Sequence, residues 1–175
     1  MYEIRLHSRG GQGGVTAAKM LALAAIREGK FATACPFYGA ERRGAPVVSY
    51  IRIDDAPIKV YSQIRQPDLV IVLDMSVMET VDVLQGIRED GRVLINSPHP
   101  VDMQGHPTYH VDLTGIALSL NLVIAGSPIL NTPLMGALAK MGYVTFDSVK
   151  GAIEETFSDD RNVEAAQLAY EELER

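Results

Sequence analysis

The stretch HSRGGQGGVTAAKMLALAAIREGK, residues 7–30, decides the fold class of this chain. The residues that lead into it, 2–8, alternate apolar and polar side chains, which predicts a short β-strand. The glycines of GGQGG (10–14) permit a tight turn, and the run rich in Ala, Leu and Met predicts a helix over 15–28 that Gly29 caps. A strand, a glycine turn and a helix in this order form a Rossmann-like start.

The rest of the chain continues the alternation of strands and helices. Further strands are predicted over 31–37, 47–53, 57–64, 68–74, 91–97 and 107–112. Helices are predicted over 76–86 with a Ser76/Glu79 capping box, over 113–124, over 132–141 capped by Thr132, from Thr145, and from Asn162 to the C-terminus. We therefore expect an α/β fold, with three layers, a mostly parallel sheet, an antiparallel hairpin excursion at 47–64 and a helical C-terminal part.

Composition excludes several classes of function. The chain has 175 residues, of which 47% are hydrophobic, and a net charge of −6, which argues against nucleic-acid binding because phosphate contacts need a basic face. No apolar run is long enough to span a membrane, and the N-terminus does not resemble a signal peptide. One cysteine, Cys35, cannot hold an iron–sulfur cluster, and the four histidines show no zinc spacing. We expect a cytoplasmic, soluble, single-domain protein over residues 1–175 without a metal of its own.

The glycine loop is the first candidate binding site. Against the dinucleotide pattern G-x-G-x-x-G, residues 8–13 lack the first glycine, because Ser8 stands there, and the predicted second strand has no acid to hold a ribose. The N-terminus of the following helix could still hold an anion on its backbone N–H groups, with help from Arg9 and Gln12. The alternative is that the glycines only permit tight packing, and these residues alone leave both interpretations open.

The loop YGAERRGAP, residues 38–46, is the second candidate. Arg42 and Arg43 suit carboxylate or phosphate recognition, although a solvated pair with Glu41 or a salt bridge to a partner is the more common explanation of such residues. Cys35 is expected to be a small buried residue, and His99 and His106 to be loop residues. Asp74 ends a central strand, at the sheet edge where α/β sites form, or caps the following turn. We find no catalytic set in this chain.

Three stretches together resemble one family, the gamma subunits of the 2-oxoacid:ferredoxin oxidoreductases. They are SRGGQGGVTAAKMLA (8–22), FYGAERRGAPVVSYIRIDDAPI (37–58) and DLVIVLD (68–74), and GSPILNTPLMGALAKMG (126–142) is similar to the family's helical tail. The resemblance covers nearly the whole chain. The ERRGAP form is most similar to that of the pyruvate enzymes.

The resemblance implies that this chain is part of a larger enzyme. Such complexes oxidise a 2-oxoacid with coenzyme A to acyl-CoA and carbon dioxide and reduce ferredoxin. It also implies alpha, beta and delta subunits as partners, which carry thiamine diphosphate and iron–sulfur clusters, while coenzyme A is a co-substrate of the complex. Only a binding role carries over, to Gly10, Gly11, Gln12 and Gly13, and to Arg42 and Arg43.

Partner dependence also has a physical argument. The predicted first helix is apolar on more than one face, which predicts that it lies between the sheet and another subunit, and the strand at 47–53 could offer a sheet edge. Two rival functions stay open: a stand-alone NAD- or flavin-binding oxidoreductase, and a pure interaction module. A gamma subunit that acts on 2-oxoglutarate or branched-chain 2-oxoacids is a further alternative.

Overall fold

The computed structural model describes residues 1–38 and 44–175. Its strands are β1 (Tyr2–Arg9), β2 (Phe31–Tyr38), β3 (Pro46–Asp54), β4 (Leu69–Val72), β5 (Arg92–Asn96), β6 (Thr108–Val111), β7 (Val123–Ile124) and β8 (Ser127–Pro128). Its helices are α1 (Gly14–Arg27), α2 (Leu113–Ser119), α3 (Asn131–Lys140), α4 (Phe146–Thr156) and α5 (Arg161–Glu172), and a 3₁₀ helix covers Met75–Glu79. Within the described residues, no helix has both the length and the apolarity to cross a bilayer.

The main sheet has the strand order β2-β3-β1-β4-β5-β6. Strands β1, β4, β5 and β6 are parallel neighbours, as the buried apolar runs at 68–74 and 91–97 predicted. Strand β3 runs antiparallel between β1 and β2, and it supplies the antiparallel excursion. The α/β class with a mostly parallel sheet is therefore confirmed.

The two faces of the sheet are covered differently. One face presents Ile4, Leu6, Ile51, Ile71 and Leu94 to a core that it shares with the α-helices. The other face presents a smaller valine-rich cluster, which the 3₁₀ helix and the irregular segments 80–91 and 97–107 cover. The three layers are thus helices, sheet and mainly irregular chain.

Helix α1 is covered within this chain. Its alanines and leucines are buried, with Ala24 and Ala25 fully so, because the helix packs on β2 and β3 with one side and on α3 and α4 with another. Our expectation that a second subunit covers this helix was wrong, since two helices distant in sequence provide that cover. Only scattered positions such as Lys19 and Ile26 face solvent.

The predicted hairpin of 47–53 with 57–64 is also wrong. Residues 57–64 form no strand, and β3 pairs with β1 along one edge and with β2 along the other. Both edges of β3 are therefore occupied, and no hydrogen-bonding edge remains for the segment after it. Strand β2 also continues through Pro36, which is tolerated because β2 lies at the edge of the sheet.

Several helix ends differ from the sequence prediction. The helix predicted over 76–86 is only the 3₁₀ helix, and Asp74 caps it in place of the Ser76/Glu79 box. Helix α2 ends at Ser119, and the chain then turns into the short β7–β8 pair. These short elements depend on tertiary contacts rather than on helix propensity: the 3₁₀ helix contacts β1, and α2 packs on α3 and α5.

Of the three caps predicted for the C-terminal helices, one is confirmed and two are wrong. Thr145 caps α4 as predicted, because its hydroxyl accepts a hydrogen bond from the Ser148 backbone N–H. Thr132 and Asn162 do not cap: they lie inside the first turns of α3 and α5. Instead, the Thr132 hydroxyl donates to Asn162 Oδ1 at 3.2 Å, so these two buried polar side chains satisfy each other between the helices.

Candidate functional site

The glycine loop, Gly10–Gly13, joins the C-terminal end of β1 to α1. Gly11 and Gly13 have φ angles of 96° and 85°, in the left-handed region that glycine adopts without strain. The Gly10 N–H donates to the Ala45 carbonyl at 2.9 Å, and the Gly44 N–H donates to the Gly10 carbonyl at 3.2 Å. These two bonds extend the β1–β3 pairing past the ends of both strands and fix where the loop begins.

Helix α1 starts at this loop without a capping side chain. Gly13 is the N-cap residue and has no side chain to cap the helix, and no side-chain cap bond is made there among the residues that the structure describes. The first N–H groups of a helix have no partner inside it, so their positive dipole end is available to an anion. Gly14 must be a glycine because a Cβ atom there would overlap the Ser8 hydroxyl.

Four polar side chains form a network beside the loop, which we call the Arg9–Asp74 network: Arg9, Gln12, Asp74 and Ser76. Gln12 Oε1 accepts from the Arg9 backbone N–H at 2.8 Å, and Gln12 Nε2 donates to Asp74 Oδ2 at 2.7 Å. Arg9 Nε donates to Ser76 Oγ at 2.8 Å and lies 3.7 Å from Asp74 Oδ2. Ser76 donates to Asp74 Oδ1 through its hydroxyl and its backbone N–H.

Asp74 is held as an anion in this network. Burial by itself opposes ionisation, but the hydrogen bonds from Ser76 and Gln12 and the charge of Arg9 together lower its pKa below the usual value for aspartate. Much of the Arg9 charge is therefore balanced internally. An incoming anion would have to rely on the α1 N-terminus more than on Arg9.

The network lies between strands whose connections leave in opposite directions. After β1 the chain passes to α1 on the helical face, and after β4 it passes to the 3₁₀ helix, which packs on the other face. Because β1 and β4 are parallel neighbours, their carboxyl ends form a topological switch point, which is the usual ligand position in open α/β sheets.

The structure brings together only part of the predicted site. Gly10, Gly11, Gln12 and Gly13 lie in one loop, and Gln12 contacts Asp74, two residues after the end of β4. Asp74 caps the following turn, as one of the two sequence interpretations had it. Arg42 and Arg43 lie outside the described residues. His99 and His106 lie in the chain after β5 and make no hydrogen bond to this network among the described residues, and Cys35 is half-buried in β2.

The sequence analysis missed the partners of the site and one buried cation. The pairing of Gln12 with Asp74 joins residues 62 positions apart, and no local pattern predicts it. Arg5 was passed over as a polar position of an alternating strand, yet it is 7% exposed. The burial of Arg5 could have been predicted, since a strand that is central in an α/β sheet is buried on both faces. No group of three potential metal ligands occurs among residues 1–38 and 44–175.

Comparisons with known proteins agree with the resemblance. Residues 3–172 match the family model described as pyruvate ferredoxin/flavodoxin oxidoreductase. The chain is 49% identical to pyruvate synthase subunit PorC of Methanocaldococcus jannaschii, over 99% of this chain and 97% of that protein. It is 48% identical to the pyruvate/ketoisovalerate oxidoreductases common subunit gamma of Thermococcus kodakarensis, over 97% of this chain and 96% of that protein.

A solved structure extends the agreement to three dimensions. The crystal structure of pyruvate oxidoreductase subunit PORC from Thermotoga maritima superposes with a TM-score of 0.83 at 35% identity, covering 99% of this chain and 97% of that one. The chain therefore belongs to the pyruvate ferredoxin/flavodoxin oxidoreductase family and corresponds over its full length to the gamma-type subunits within it.

Proposed function

We propose that this chain is the gamma subunit of a multi-subunit pyruvate:ferredoxin oxidoreductase, and that it has no turnover alone. The complex would oxidise pyruvate with coenzyme A to acetyl-CoA and carbon dioxide and would reduce ferredoxin. The support is the full-length match to relatives that are named as subunits of pyruvate synthase. We further propose alpha, beta and delta subunits as partners, and a cytoplasmic location.

The redox and carbanion chemistry is assigned to those partners because this chain does not fit the cofactors. One cysteine cannot supply the roughly four thiolates of an iron–sulfur cluster. A thiamine diphosphate site of the G-D-G…N-N type has no counterpart, since the nearest sequence is EDG at 89–91 followed by the single Asn96. We therefore place neither cofactor on this chain.

The glycine loop is proposed to contact the phosphates of coenzyme A. The observation that carries this proposal is the start of α1 at Gly13 without a capping side chain, which leaves backbone N–H groups for an anion. Gly11 is exposed, and the space around a Cβ atom there is open, so the approach is not blocked by described residues. Arg42 and Arg43, on the segment that precedes Gly44, are proposed as additional cations.

A carboxylate placed in the first turn of α1 tests the coenzyme A contact. Thr16→Glu would occupy the same N–H groups with a negative charge while favouring the helix, so the fold is retained. In the assembled complex we expect the KM for coenzyme A to rise about threefold to tenfold and the KM for pyruvate to stay unchanged. Thr16→Gln has the same shape without the charge and is the matched control.

The same variants separate the rival functions. If Thr16→Glu and Thr16→Gln complexes have equal KM values for coenzyme A, the loop does not bind it, and a packing role of the glycines is favoured. Assembly is tested independently by purification of a tagged chain from its native host. Recovery of the chain without larger subunits, or tight NAD binding to the isolated chain in a calorimetric titration, would contradict the subunit assignment itself.

The choice of 2-oxoacid is proposed to lie with the partner subunits. The Thermococcus kodakarensis relative is named as common to pyruvate and ketoisovalerate oxidoreductases. If this chain is shared in the same way, exchanging its alpha and beta partners should change the substrate preference, while exchanging the gamma chain should not.

A further inference from the structure

Arg5 is a buried cation on the face of β1 that points away from the helices. Its side chain uses three of its five N–H groups inside the protein: Nε donates to His7 Nε2 at 3.1 Å, and Nη2 donates to the carbonyls of Val83 and Gln85, both at 2.7 Å. Every one of these acceptors is neutral. Arg5 is therefore held firmly in place without a charged partner.

The remaining nitrogen of Arg5, Nη1, is unused. Among the described residues it has no hydrogen-bond acceptor, and no carboxylate lies within ion-pair distance of the guanidinium. Asp82 and the Tyr50 phenol act on Arg5 only at longer range, and burial lowers the pKa of Arg5. A guanidinium stays protonated at any physiological pH, so an uncompensated positive charge is buried here.

A cavity of about 490 Å³ opens beside this group. We call it the Arg5 cavity, and its polar lining comes from Arg5, Tyr50, Gln63, Arg65, Gln66 and Gln85. Its described lining contains two arginines and three glutamine amides, and no carboxylate among residues 1–38 and 44–175. Arg65, which is exposed, also makes no ion pair among the described residues, so both cations are available to a ligand.

A neighbouring cavity contains a buried arginine whose charge is balanced by a carboxylate. It shares Gln63, Arg65 and Gln66 with the Arg5 cavity, but its own buried arginine, Arg52, donates to Glu3 Oε1 at 2.8 Å. The fold thus pairs Arg52 with an internal carboxylate and leaves Arg5 without one. That contrast indicates that the anion for Arg5 comes from outside the chain.

We propose that the Arg5 cavity binds a small-molecule oxyanion, a carboxylate or a phosphate, between Arg5 and Arg65. The fixed Nη1 group would donate a charge-assisted hydrogen bond to the anion. The N–H groups of the glutamine amides and of Arg65 would donate the other hydrogen bonds to it. A volume of this size suits a metabolite rather than a bare ion. The site is separate from the glycine loop, since Arg5 and Arg9 are roughly 13 Å apart along β1 at about 3.3 Å per residue.

Titration of the full chain tests the proposal. Sodium phosphate and sodium acetate are added separately at constant ionic strength, and the Arg5 Nε–H and the Gln85 and Gly86 amide signals are followed by NMR. We expect saturable shifts with one or both anions, and the two titrations identify which oxyanion chemistry the site accepts. Arg65→Gln, on the exposed rim, should raise the Kd about fivefold or more, because it removes a charged donor without disturbing the core.

Lys59→Gln is the matched control, because Lys59 is an exposed cation in the same segment that lines neither cavity. Its Kd should equal that of the unmodified chain within about twofold, as expected for a screened surface charge. The proposal is overturned if neither anion gives saturable shifts, or if Arg65→Gln and Lys59→Gln bind alike. It is also overturned if the assembled complex loses the binding, because a partner's acidic side chain would then fill the cavity.

Discussion

Gln12 Nε2 donates a 2.7 Å hydrogen bond to Asp74 Oδ2 and so joins the glycine loop after β1 to the turn after β4. The two strands are adjacent and parallel, and their connections leave on opposite faces of the sheet. This contact therefore lies at the carboxyl ends of two parallel strands, the position where open α/β sheets bind their ligands. It also fixes the loop without using the N–H groups of α1.

Removing the carboxylate of Asp74 should weaken this connection between the glycine loop and the turn after β4. Asp74→Ala deletes the cap of the 3₁₀ helix, the acceptor for Gln12 and the ion-pair partner of Arg9. We expect a loss of about 1–2 kcal/mol in the free energy of unfolding, measured by urea titration of the full chain. Asp55→Ala removes an exposed aspartate and should change it by less than about 0.5 kcal/mol. Equal effects of the two substitutions would show that the network is not stabilising.

His7 should make the stability of the chain fall in mildly acidic solution. Burial, reinforced by the Arg5 cation, lowers the pKa of His7 to about 4. As the pH falls below about 6.5, His7 becomes protonated in the unfolded chain but stays neutral in the folded chain. The contribution of His7 to stability is therefore complete above about pH 6.5 and is lost as the pH falls toward 4. The difference of about 2.5 pKa units corresponds to roughly 3 kcal/mol.

Urea titrations at pH 7.5 and pH 4.5 measure this loss. His7→Gln keeps an acceptor for Arg5 Nε and should make the pH dependence in this window clearly smaller. His99→Gln, a substitution of an exposed histidine, is the control and should have the same pH dependence of stability as the unmodified chain. If His7→Gln has the same pH dependence as the unmodified chain, His7 is not the group that titrates.

Gly14 and Ser8 should behave as a coupled pair. A Cβ atom on Gly14 would overlap the Ser8 hydroxyl, so Gly14→Ala alone should destabilise the chain by about 1–3 kcal/mol through overpacking. Ser8→Gly removes that side chain, and the double variant should recover most of the loss. Thermal unfolding of the two single variants and the double variant gives the interaction energy directly. Additive effects would mean that another contact, such as that with Leu6, limits the site.

Substitution by alanine should destabilise the chain at one helical glycine, Gly136, but not at another, Gly151. In α3, a Cβ atom on Gly136 would overlap the backbone carbonyl of Ala166 in α5, which cannot move aside, so Gly136→Ala should cost about 3 kcal/mol or prevent folding. In α4, the three atoms nearest to a Cβ atom on Gly151 would all belong to the guanidinium of Arg27, the far end of a flexible and exposed side chain.

Gly151→Ala should therefore be neutral or stabilise the chain by about 0.5–1 kcal/mol, because alanine favours a helix over glycine. Expression level, circular dichroism and the melting temperature of the two variants provide the comparison. A Gly136→Ala chain that folds with an unchanged melting temperature would mean that α3 and α5 can separate, contrary to the packing described.

The family was indicated by the resemblance of the stretches 8–22, 37–58, 68–74 and 126–142 to its gamma subunits. The sequence by itself also determined the α/β class and the strand–glycine–helix start, because these follow from side-chain periodicity and from glycines that local geometry requires. It also determined that Thr145 caps a helix, since the cap is made within four residues. The fold class, the glycine turn and the cap are each decided by residues that are close in the sequence.

Only the tertiary structure decided which strand occupies each edge of β3, what covers α1, and which side chains meet Asp74. The segment 57–64 has strand-like residues, but it forms no strand because β1 and β2 take both edges of β3. Likewise, the neutral surroundings of Arg5 within the described part of the chain depend on residues 78 and 80 positions away, whose backbone carbonyls accept its hydrogen bonds. Such contacts are set by packing between distant segments, for which a single sequence carries no periodic signal.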